Sequence, residues 1–233
     1  MQVITTPIPL FPLGLVLLPG ATVPLHIFEP RYRQMLRDVT AGTRCFGLIA
    51  PPGDTPESDL PAGRVGCIAC ITEMETLPDG RTNILVEGRE RFRFETYLET
   101  GTPYRLGHIS PFDDIVTDGL ALSLAADGVR AVARRAVRAS MTIHEIPGEV
   151  PEFSDDEAAL SFEVAQLLQA STSTLYSLLA EQDPFARLAR IDALLRAGLE
   201  DLELEAELHL RSKRNDGHDE HDEHDEHDGL PPV

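Results

Sequence analysis

Residues 8–32 read IPLFPLGLVLLPGATVPLHIFEPRY, and this stretch decides how the chain folds. No charged side chain occurs before Glu29, and Pro7, Pro9, Pro12, Pro19 and Pro24 punctuate the run. Prolines at such intervals forbid a continuous helix, because each removes an N–H donor and clashes with the preceding turn. The apolar segments between them, Leu13–Leu18 and Val23–Phe28, are short and rich in branched residues. They are expected to form two buried strands of a hairpin. Pro19-Gly20 suits the centre of a type II turn, with proline fixing φ and glycine taking positive φ. Glu29-Pro30 then opens a helix, proline being tolerated at the first helical position.

Working outward, Tyr32, Met35, Leu36 and Val39 share one face of a helix over 30–39. Cys45–Ala50 reads as a strand, and 51–63 as a polar Pro/Gly loop. Arg64–Leu77 and Thr82–Glu87 alternate about a turn at Asp79-Gly80, and Gly88 is expected to break the second strand. Arg89–Glu95 alternates charged and aromatic residues, and Thr102–Ser110 is a further strand. From about Asp118 the text turns to Ala, Leu and Arg at three-four spacing. Helices follow from Leu122, after a capping box at Ser154–Glu157, near Leu175–Leu179, and from Asp183-Pro184. After that capping box, Leu160, Val164, Leu167 and Leu168 are expected to form a buried stripe.

The opening motifs PLFPL, VLLPG and PLHIFEPRY resemble the start of the N-terminal substrate-binding domain of Lon proteases, especially bacterial proteins built from that domain alone. Val86–Phe94 and Tyr104–Ile109 match a downstream strand pair of that family, and 183–197 its helical half. The resemblance implies an α+β fold: a PUA-like, partly closed β-barrel with a short helix over 1–115, then an α-helical bundle over 116–212. Residues 213–233 carry repeated His-Asp-Glu triplets and are expected to be a disordered acidic tail.

The formal charge of −19 opposes binding to a polyphosphate; even without the eight acids of 216–228 the body carries about −11. Three cysteines give no disulfide framework, and no secretory leader or spanning helix is evident, so a reduced, soluble, cytoplasmic protein is expected. Cys67 and Cys70 have CxxC spacing, but three apart on a strand they point to opposite faces and cannot share a metal. Arg89, Arg91 and Arg93 read as a solvated strand face. His218, His221, His224 and His227 are weak, unselective metal candidates; no metal is expected in the fold.

No phosphate-cradling GxxxxGK[ST] loop occurs, and the single lysine, Lys213, leaves no credible Ser-Lys dyad. No catalytic residue and no cofactor are therefore expected. The resemblance implies a non-catalytic protein- or peptide-binding module, an adaptor or binder of unfolded protein, with unfolded segments and a protease as partners. Neither nucleic acid nor membrane is expected to bind. Phe28, Glu29, Arg31 and Tyr32 of the opening motif are the candidate binding residues; for Glu29 and Arg31 the competing role is to tie the helix start to the barrel. The competing function is a PUA-like domain for a small ligand or RNA.

Overall fold

A computed structural model describes residues 6–219. The elements are β1 (Thr6–Pro12), β2 (Thr22–Ile27), α1 (Pro30–Thr40), β3 (Cys45–Ile49), β4 (Val65–Thr76), β5 (Thr82–Leu98) and β6 (Leu106–Pro111). Then come α2 (Gly119–Ile143), α3 (Glu157–Ala165), α4 (Thr172–Leu179) and α5 (Pro184–Asp219). The fold is mixed α+β, one six-stranded sheet followed by helices.

The opening is not a hairpin. β1 pairs in parallel with β3 and antiparallel with β6, whereas β2 pairs with β5. The first strand also lies earlier than expected, at Thr6–Pro12 and not Leu13–Leu18. Its prolines fit because each falls where one side of the strand is unpaired. Pro7 and Pro9 precede the register with β3, which begins at Leu10, and Pro12 follows the register with β6, which ends at Pro9. Leu17 and Leu18 are instead buried in the loop that follows, held by the turn at Pro19-Gly20. There Ala21 N–H donates to the Leu18 carbonyl at 3.0 Å, and Gly20 has φ 75°.

β5 is one long strand that Gly88 does not break. A Cβ at Gly88 would lie 2.2 Å from the Leu18 carbonyl oxygen, so glycine is required by the close crossing of the 13–21 loop. β5 runs beside β4, and pairs with β2 over its first part and β6 over its second. This second pairing curls the sheet back on itself, and among the described residues β2 pairs with β5 alone and keeps a free edge.

The β3–β4 register sets Cys45 opposite Cys70, and the two form a disulfide, which corrects the expectation of reduced thiols. Spacing along the chain could not reveal a partner 25 residues away. Cys67 is free and buried, and burial pushes its thiol up to about 12.

Helix starts follow their caps. The Asp118 carboxylate accepts from the N–H groups of Leu120 and Ala121, and Asp183 from Phe185. At α3 the cap is Asp156, which accepts from Ala159, two residues after the expected Ser154. The main core is continuous from sheet to helices, joining Phe46, Leu48 and Val86 with Leu160, Leu178 and Leu188. α5 continues to Asp219, past the tail boundary expected at 212. His218 falls on its last turn; His221, His224 and His227 lie outside the described residues, as does most of the expected tail.

Candidate functional site

Sheet and helices meet at a buried charge cluster. Arg187 of α5 is fully buried and Arg91 of β5 is 6% exposed. Arg187 Nη1 and Nη2 donate to the two carboxylate oxygens of Asp114 at 2.8 and 3.0 Å, and Arg91 Nη2 donates to the same carboxylate. Arg91 Nη1 also donates to the carbonyls of Leu179 and Glu181, and Arg187 Nε to the Ser161 hydroxyl. The Phe162 ring lies 3.9 Å beneath the Arg187 guanidinium. Burial pulls the Arg91 guanidinium below its ordinary value, against the opposing pull of Asp114. Every polar contact here is internal, so the cluster reads as a clamp between the two halves. Arg91 is thus not on a solvated face, as its alternation with Arg89 and Arg93 had suggested. Arg89 pairs with Glu87 and Arg93 lies over Phe112, so the three arginines form no continuous basic surface.

The opening-motif candidates do not converge on one site. Phe28 is 60% exposed and stacks on His26 with ring centres 6.1 Å apart. Arg31 Nη1 and Nη2 donate to Glu57 at 2.7 and 3.0 Å, while its Nε donates to Glu29 at 2.9 Å. The buried Tyr32 hydroxyl reaches Glu57 at 3.1 Å. Tyr97 donates to the Glu57 carbonyl. Glu29, Arg31 and Tyr32 therefore hold the 51–63 loop, through its short 3-10 turn Glu57–Asp59, against α1 and the sheet. Phe28 alone of the four presents an open apolar face.

A different surface has the shape of a binding site. α2, α5 and the α3–α4 connection enclose an open groove of about 520 Å³. Val137, Met141, Leu167, Leu194, Leu195 and Leu199 supply its apolar wall, and among the described residues none that lines it is charged. Leu194 and Leu167 are 41% and 49% exposed. Leu167 thus departs from the buried stripe expected of it. α3 ends at Ala165, and the chain turns before Leu167 can follow Leu160 and Val164 into the core. α5 buries Leu188, Ile191, Leu195 and Leu199, and Leu194 stands one position off that stripe. Such an offset leucine was the available sequence signal for the groove.

At Met141 and Ile146 the groove runs into a polar hollow of about 700 Å³. Arg134, Arg138, His209 and Lys213 line it together with Glu145, Glu149 and Glu152. Lys213 Nζ lies 2.6 Å from Glu145, and His209 Nε2 lies 3.1 Å from the same carboxylate. Among the described residues, no three His, Cys, Asp or Glu gather as metal ligands.

A curled mixed sheet clamped to a helical bundle, with an apolar groove in the bundle, defines the class of α+β domain. The family model of the ATP-dependent protease La (LON) substrate-binding domain matches residues 7–197, and the chain belongs to that family. It is similar to the Lon protease of Cytophaga hutchinsonii, 23% identical over 214 residues, covering 88% of this chain and 26% of that protein. It is also similar to Lon protease 1 of Herpetosiphon aurantiacus, 26% identical over 203 residues, covering 84% of this chain and 25% of that protein. The chain thus spans about a quarter of the length of these curated relatives.

Among solved structures, a Lon N-terminal domain protein from Xanthomonas campestris is 28% identical with a TM-score of 0.55, covering 81% of this chain and 98% of that one. The N-terminal domain of the Lon protease of the Mycobacterium avium complex shares the fold at 18% identity, with a TM-score of 0.61 over 82% of this chain and 98% of that one.

Proposed function

We propose that this chain is a non-catalytic protein-binding module that captures exposed apolar segments of unfolded proteins in the groove between α2 and α5. The observation that carries the reading is the groove itself: an open, apolar concavity with no charged lining residue among the described residues, in a domain of the Lon substrate-binding family. A folded client hides its apolar side chains, whereas an unfolded one offers them, so the groove discriminates by accessibility. Leu167 and Leu194 are about half covered already. Completing their burial contributes about 2–3 kcal/mol together, before the cost of ordering the client. That contribution lies below the cost of association, so the other apolar residues of the wall have to add to it, and binding built from such small increments is weak and reversible, which suits handing a client to a separate protease.

The competing RNA reading lacks a comparable observation. Arg91 is consumed by the clamp, and the chain carries a charge of −19. No described helix is long and apolar enough to cross a membrane.

The test is fluorescence anisotropy with a labelled, permanently unfolded client and a folded version of the same client. Saturable binding of the unfolded form alone supports the module. Equal binding of both forms, or of neither, overturns it. Leu194→Glu places a carboxylate in the groove at an exposed position that the fold tolerates, and is expected to weaken binding at least tenfold.

A further inference from the structure

We infer that the groove selects apolar segments flanked by acidic residues, and that Arg134 and Arg138 read the flank. The inference rests on the proposed binding of unfolded segments and adds a client class to it.

The two arginines stand four residues apart on α2, so they share one side of the helix. Both are exposed, and both line the polar hollow continuous with the apolar groove. Among the described residues, neither guanidinium has a carboxylate within ion-pair distance. Their neighbours differ in this respect. Arg130 pairs with Asp127, Arg135 with Glu203 and Lys213 with Glu145. Arg33, Arg37, Arg44, Arg64, Arg93 and Arg105 likewise have no carboxylate within ion-pair distance among the described residues, so what sets Arg134 and Arg138 apart is their shared place in the hollow beside the apolar groove.

The rest of the hollow sets the size of the effect. Glu145 is neutralised by Lys213, with His209 on its other oxygen. Glu149 and Glu152, on the α2–α3 connection, oppose an acidic ligand and moderate the preference. Val137 and Met141 of α2 face the apolar groove, while Arg134 and Arg138 face the hollow, with Met141 shared by both. A segment whose apolar residues fill the groove therefore lays its next few residues across the two guanidiniums. Each planar fork can take a carboxylate in two parallel hydrogen bonds, so an Asp or Glu flank is held in place of water and a Lys or Arg flank is repelled.

The experiment uses the full chain and three labelled peptides with one apolar core. One carries a flank of Asp and Glu, one of Lys and one of Ser and Gln. At low salt the acidic peptide is expected to bind about tenfold more tightly than the basic one, a spread that shrinks in about 0.5 M salt. In the double variant Arg134→Gln, Arg138→Gln the spread is expected to vanish, while affinity for the neutral peptide stays as in the parent. Three peptides bound saturably and equally overturn the inference and leave the binding function standing. A preference for the basic flank, or a preference that survives in the double variant, also overturns it. If none of the three peptides binds, the functional reading itself fails, and the inference with it.

Discussion

Replacing Asp114 by alanine tests the clamp that joins the sheet to the helices. The carboxylate accepts hydrogen bonds from two guanidiniums whose side chains are 4% and 0% exposed, while itself being 21% exposed. Without it, Arg91 and Arg187 face each other across the junction with only carbonyls and the Ser161 hydroxyl as partners. Breaking a buried ion pair by removing one partner costs about 3–5 kcal/mol, because an uncompensated charge remains. Partial solvent access at Asp114 places the expected loss near the lower end, about 3 kcal/mol. The core runs without a break across the junction, so the loss is read as a single shift of the urea unfolding midpoint with unchanged slope. Asp114→Asn, which keeps shape but not charge, is expected to fall between parent and alanine variant. Glu203→Ala, which deletes the solvent-exposed pair with Arg135, serves as the control and leaves the midpoint in place. The reasoning is refuted if Asp114→Ala unfolds at the same urea concentration as Glu203→Ala.

Gly88→Ala drives a methyl group against the Leu18 carbonyl and is expected to destabilise by about 1–3 kcal/mol, measured by the same titration. In non-reducing buffer, the native protein is expected to show no fast-reacting thiol, because Cys45 and Cys70 are bonded and Cys67 is buried with its thiol pushed up to about 12. Unfolding should expose one thiol, and three after reduction, counted with a chromogenic disulfide reagent. Burial pushes the phenols of Tyr97 and Tyr104 up to about 12, and raises that of Tyr32 as well. The folded state then holds phenolic protons that the unfolded chain releases near pH 10, so stability is full below about pH 10 and is lost as pH rises towards about 12. Tyrosinate absorbance followed with pH, beside unfolding midpoints, checks both the late titration and the loss.

What was legible in the sequence was local. The turns at Pro19-Gly20 and Asp79-Gly80 depend on one or two residues, and both glycines take positive φ. The buried face Tyr32, Met35, Leu36 and Val39 follows from helical spacing alone. What was not legible depends on distant partners. Pro7, Pro9 and Pro12 bar a helix, and the first strand was expected after them at Leu13–Leu18, yet they sit in β1 because the strands beside them begin or end at those positions. Arg91 looked solvated because alternation cannot show that Asp114 and Arg187 close over it. The groove was hidden for the same reason: Leu167 belongs to a run expected to be a buried stripe, and although Leu194 stands off the stripe of α5, only the packing of α2 and α5 brings the two to one concavity.

The most direct test of the central claim is amide hydrogen exchange of the full chain with and without a saturating unfolded client. The account predicts new protection concentrated at residues 136–141 and 194–202, where α2 and α5 wall the groove, and little change around Phe28–Tyr32. Protection at Phe28–Tyr32 with none along α2 and α5 would contradict it, and would move the client to the exposed Phe28 at the edge of the sheet.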